Sequence, residues 1–64
     1  MQKEWYDQHN FEACKKHFSE FGEVICGNHT YKLLFDYCML NYIKVFVIRT
    51  SQTQYEFIYQ GNSN

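Results

Sequence analysis

The sequence has no proline, three isolated glycines, three cysteines and a net charge of only −1 over its 64 residues. Each scarcity excludes something. Gly22, Gly27 and Gly61 stand alone, so no glycine-rich loop is present to cradle a phosphate. The small net charge, with a pI of about 6.2, gives no global pull toward nucleic acid or an anionic membrane. Cys14, Cys26 and Cys38 allow at most one disulfide, which is not a framework. No apolar run follows Met1, so the start reads as one without a secretion signal. The longest apolar stretch, residues 42–48, is interrupted by Lys44 and is far too short to span a bilayer. Together these absences predict a cytoplasmic protein in a reducing compartment, with no membrane association.

What is abundant is apolar and aromatic. Hydrophobic residues make up 45% and aromatics 20%, which rules out a linker or a disordered tail. Residues 1–64 are short enough for one domain only. Such a chain buries about 60% of the surface that its unfolded form exposes, so its stability is small.

The chain divides into a polar lead (residues 1–9), a helix, a series of strands and a frayed tail (residues 61–64). Phe11, Cys14, Phe18 and Phe21 line one face of a helix over residues 10–21. Asn10 supplies its N-cap and Gly22 its stop. After Glu23 the period changes to two. A short strand at residues 24–26 leads into a Gly27-Asn28 turn. Tyr31, Leu33, Phe35, Tyr37 and Met39 alternate with Lys32, Leu34, Asp36 and Cys38, the pattern of a half-buried strand. Residues 42–49 are rich in β-branched side chains and apolar on both faces, which predicts a central strand. Tyr55, Phe57 and Tyr59 mark the last strand. The expected fold is α+β: one N-terminal helix packed on an antiparallel meander of three or four strands.

One helix covers one sheet face. The other face is expected to carry Leu34, Cys38, Phe46, Ile48 and Ile58, a substantial apolar patch for so small a protein. Trp5 and Tyr6 of the lead are placed either to join that surface or to fold over it.

Chemistry is harder to find. Cys14-x-x-His17 and Cys26-x-x-His29 offer four ligands of the zinc type. Only eight residues separate the pairs, and Cys14 falls on the apolar helix stripe. Cys26 beside His29 is the one local nucleophile-and-base pair, and nothing near it forms an oxyanion hole. The main reading therefore expects no cofactor and no metal.

The run Gly27-Asn28-His29-Thr30-Tyr31-Lys32-Leu33, then Val45-Phe46-Val47-Ile48-Arg49, then Thr53-Gln54-Tyr55-Glu56, resembles the RelE/ParE superfamily of bacterial toxins, and within it the HigB group. The resemblance spans residues 10–58 and implies a helical N-terminal part followed by an antiparallel meander. It also implies a ribosome-dependent mRNA endonuclease. In that reading Arg49 contacts the phosphate, His29 or Tyr55 serves as acid or base, and Lys32 helps to bind RNA. The chain is about two-thirds of the family's usual length, and Gln54 stands where the family carries a histidine.

Three functions follow from the residues. The first is a small non-catalytic interaction protein, a phage or mobile-element inhibitor that occludes a host protein, with a homodimer as a further possibility for the same surface. The second is the reduced toxin-like ribonuclease, with the ribosome as partner. The third is a zinc-stabilised module.

Overall fold

Asn10 starts the first helix as its side chain predicts: Oδ1 accepts the Ala13 N–H at 3.0 Å. The helix, α1 (Phe11–Phe21), ends at Gly22, whose φ of 76° lies in the left-handed region that glycine enters without a Cβ penalty. The Gly22 N–H then closes the last turn on the Phe18 carbonyl at 2.8 Å. The computed structural model describes residues 6–62; Trp5 lies outside them.

Strand β1 (Glu23–Gly27) follows at once. The next segment departs from expectation. Residues Asn28–Leu40 form a second helix, α2, where alternation predicts a strand. The reason lies in which residues the core takes. Thr30, Leu34 and Cys38 recur every four residues and are fully buried, while Leu33, Phe35 and Met39 stay exposed. Gly27 provides no side-chain cap, and Asn41 closes the far end by donating Nδ2–H to the Tyr37 carbonyl at 2.8 Å. Strands β2 (Ile43–Ser51) and β3 (Gln54–Asn62) complete the chain as a hairpin, so the last strand runs into the segment expected to fray.

The protein is therefore α+β, with two helices and three antiparallel strands among the described residues. The sheet order is β1-β3-β2 rather than a meander. Because α2 carries the chain across from β1 to β2, the last strand fills the centre. The strand expected at the centre, β2, is an edge strand.

Both helices pack on the sheet face formed by Val24, Cys26 and Phe57. Phe18 meets Phe57 edge-on at 6.5 Å, Phe11 meets Tyr37 across the two helices at 6.2 Å, and Tyr31 stacks flat on Tyr55 at 3.9 Å. Leu34 and Cys38, expected on the outer surface, are in this core instead. No helix among the described residues is long and apolar enough to cross a membrane.

Candidate interaction surface

The backbone decides which parts of the sheet are free. The Tyr59 N–H donates to the Gly22 carbonyl on the β1 side. Backbone groups alternate direction along a strand, so Tyr55, Phe57 and Tyr59 address β1, whereas Glu56 and Ile58 address β2. In the β2–β3 register Phe46 faces Ile58 and Ile48 faces Glu56. Phe46 and Ile48 thus spend their backbone groups on β3. Val45, Val47 and Arg49 turn theirs outward, to the free edge of the sheet.

The opposite edge is closed by the N-terminal lead. The Tyr6 hydroxyl accepts the Ile25 N–H at 2.8 Å and donates to the Ile25 carbonyl at 3.0 Å, standing in for a neighbouring strand. The Gly27 N–H donates to the Gln8 carbonyl at 3.1 Å, and Gln8 Oε1 accepts from Gln54 Nε2 at 2.7 Å. A Cβ on Gly27 would come within 2.6 Å of the His9 ring, so glycine is what lets the lead lie so close. Tyr6 therefore seals the β1 edge and packs against the core; it does not extend over the open sheet face.

That open face carries two rows across the strands: Glu23–Ile58–Phe46 and Ile25–Glu56–Ile48. Phe46 is 56% exposed and Ile48 37%, while Ile25 and Ile58 are half-buried. No described helix packs on it. On the helix side of β2, a groove of about 480 Å³ runs between α2 and the free edge, lined by Phe35, Met39, Tyr42, Ile43 and Val45 among others. Sequence reasoning did not single out Phe35, Met39 or Tyr42 for this role. Tyr42 holds the one positive φ, 56°, among described residues other than glycine. Tyr42 follows the Asn41 cap and its N–H donates to the Met39 carbonyl at 3.3 Å, a left-handed ending of the kind common after helices.

The residues implied by the toxin resemblance are partly brought together. Arg49, Tyr55 and Tyr31 line a shallow depression of about 320 Å³, with Phe35 and Val47, and Lys32 borders the adjoining one. Arg49 is already engaged, donating from Nε to the Ser51 carbonyl at 3.2 Å and from Nη2 to the Gln52 carbonyl at 3.3 Å. Those bonds pin the hairpin turn. Tyr55 lies flat against Tyr31. His29 is exposed on the first turn of α2 and does not line the depression. The Tyr31-Lys32-Leu33 segment is helical rather than the strand that the resemblance implies.

The four zinc-type ligands do not converge. No group of three or more His, Cys, Asp or Glu side chains among the described residues is placed to hold a metal ion. Cys14 is buried with its sulfur 3.5 Å from the Gln8 carbonyl, and Cys26 lies against it. The hydrogen bond with Cys14 and then burial push the Cys26 thiol up, and burial pushes Cys38 up to about 11. Cys26 and Cys38 are fully buried and pack as small hydrophobes. His17 is clamped between the Tyr6 and Phe21 rings at 4.2 and 4.6 Å, with Nδ1 bonded to the Glu23 carbonyl at 2.9 Å. Its Nε2 is buried without a partner among the described residues.

Comparison with protein families, with curated proteins and with solved structures returned no match.

Proposed function

We propose that this protein is a small non-catalytic interaction module, which acts by laying the open face of its sheet over a functional surface of another protein. The observation that carries this reading is the exposure of Phe46 and Ile48, side by side on a face that no described element covers. A domain with so few residues rarely leaves large side chains out on a sheet face unless that face is used. Aromatic and β-branched residues at the centre of a patch supply most of the affinity in protein interfaces, while a polar rim excludes water. Here Glu56 sits within the patch, and Lys44 and Gln60 lie beyond it. The mechanism is occlusion, which needs no chemistry from the inhibitor. It fits a protein whose thiols are buried and whose Arg49 is spent on its own turn. Small inhibitors of this kind, encoded by phages or mobile elements against a host enzyme, match the chain in size.

The double substitution Phe46→Ala with Ile48→Ala tests the reading. Both side chains are largely outside the core, so the circular dichroism spectrum should stay native. Binding to the protein partner captured by the unmodified chain should fall at least tenfold, as expected for hot-spot truncations. Leu33→Ala, on the far side of the molecule, should leave capture unchanged. Equal capture by all three proteins would reject the open face as the interface.

A further inference from the structure

Strand β2 has the sequence of a strand that is covered on both faces, yet it lies at the edge of the sheet. Ile43, Val45 and Val47 point to the helices, and Phe46 and Ile48 to the open face. Natural edge strands are guarded by proline, by charges, by β-bulges, or by a covering segment. The β1 edge has such a cover in Tyr6 and Gln8. β2 has neither a cover nor a proline among the described residues; its cationic residues, Lys44 and Arg49, and the register shifts at Lys44/Val45 and Arg49/Ser51 bound a regular central run, residues 45–49.

We propose that a second copy of this chain pairs with the β2 edge, antiparallel about Val47, to form one continuous six-stranded sheet. The register follows from the ladder. The outward backbone groups belong to Val45, Val47 and Arg49, and a two-fold axis must join outward groups to outward groups. Centring on Val47 sets Phe46 opposite Ile48 of the partner subunit, an aromatic and β-branched pair of the favourable kind. The paired run is residues 45–49, between the two register shifts. Centring on Phe46 would instead set Lys44 against the partner's Ile48, so the first register is the self-complementary one.

The area agrees. Phe35, Met39, Tyr42, Phe46 and Ile48 flank the edge with exposures of 39, 59, 64, 56 and 37%. At the usual size of large side chains they offer roughly 500 Å² before backbone and polar rim are added, toward the roughly 800 Å² per partner of a standard interface. The proposal stands on the edge and its register, not on the occlusion reading above.

Sedimentation equilibrium of the full chain over a range of concentrations tests it. The unmodified protein should show the mass of a dimer, dissociating on dilution. Val47→Pro should be monomeric: it deletes an N–H that points away from β3, so the hairpin ladder keeps its bonds. If that variant loses its native circular dichroism, Phe46 and Ile48 decide, because both are exposed and face each other across the axis. Phe46→Glu with Ile48→Lys sets opposite charges across the axis and should dimerise about 2–5-fold more tightly than Phe46→Lys with Ile48→Lys, which sets like charges there. A protein that is monomeric up to about 1 mM, the weak end of the affinity scale, overturns the proposal. So does a folded Val47→Pro that dimerises as before, or equal dimerisation of the opposite-charge and like-charge variants at residues 46 and 48. Monomeric protein whose partner capture is still lost with Phe46→Ala and Ile48→Ala would sink the dimer and leave the occlusion reading standing.

Discussion

Phe57→Ala should lower the stability of the protein by about 3–5 kcal/mol. Phe57 is the largest fully buried side chain and belongs to the central strand. Val24 pairs with it on one side and Val47 on the other, and the Phe18 ring closes over it edge-on. Removing a buried phenylalanine costs about 3–5 kcal/mol, the lost transfer free energy plus the void left behind. A domain of this length has a total stability of roughly 3–10 kcal/mol. The loss is therefore a large share of what is available, and the described residues form one core cluster. Urea titration followed by circular dichroism reads the effect. A midpoint displaced only slightly from that of the unmodified protein would show that Phe57 is not where the sheet and helices meet.

The second large effect distinguishes a helix from a strand at residues 28–40. Leu34→Ala should cost about 2–5 kcal/mol, because Leu34 is fully buried beneath α2. Leu33→Ala should change stability by less than about 0.5 kcal/mol, as expected for an exposed residue away from special features; Leu33 is 54% exposed. A strand that turned Tyr31, Leu33, Phe35, Tyr37 and Met39 inward would reverse the two results, since Leu33 would then be inside and Leu34 out. The ordering of the two midpoints in one denaturation experiment is thus a direct reading of the helical register.

That segment also shows how far the fold is legible in the sequence. α1 could be read because Asn10 and Gly22 punctuate it and its apolar spacing is helical. β2 and β3 could be read because β-branched and aromatic residues alternate over nine positions each. α2 misleads because it carries both periods at once: odd positions from Tyr31 to Met39 are apolar, and so are Leu34 and Cys38. Two physical signals favour the helix even so. The segment holds a single β-branched residue, Thr30, where β2 holds five. Thr30, Leu34 and Cys38 also fall on one stripe at four-residue spacing, ending before Asn41, which caps the helix. The start offers no such help, since Gly27 contributes no capping side chain and Gly27-Asn28 reads equally as a turn.

The surface was legible in part, for a related reason. Phe46 and Ile48 were expected on the open face, and the register places them there. Leu34 left that set once its segment became helical. Phe35 and Met39 entered the exposed groove by the same change, because a helix turns them to one flank where a strand would have turned them inward. The sheet order could not be foreseen, since it depends on α2 crossing from β1 to β2 and leaving the centre for β3. Strand composition alone put β2 at the centre. Its actual place at the edge turns an ordinary apolar strand into an unguarded one.

Amide hydrogen exchange along β2, read residue by residue at low and high protein concentration, tests the account most directly. Phe46 and Ile48 donate to β3 and should be protected at both concentrations. Val45 and Val47 should exchange quickly when the protein is dilute and become protected when it is concentrated, because the second copy then accepts their N–H groups. Rapid exchange of Val45 and Val47 at every concentration, or protection that never varies between the two sets, would contradict a free β2 edge that a second copy covers.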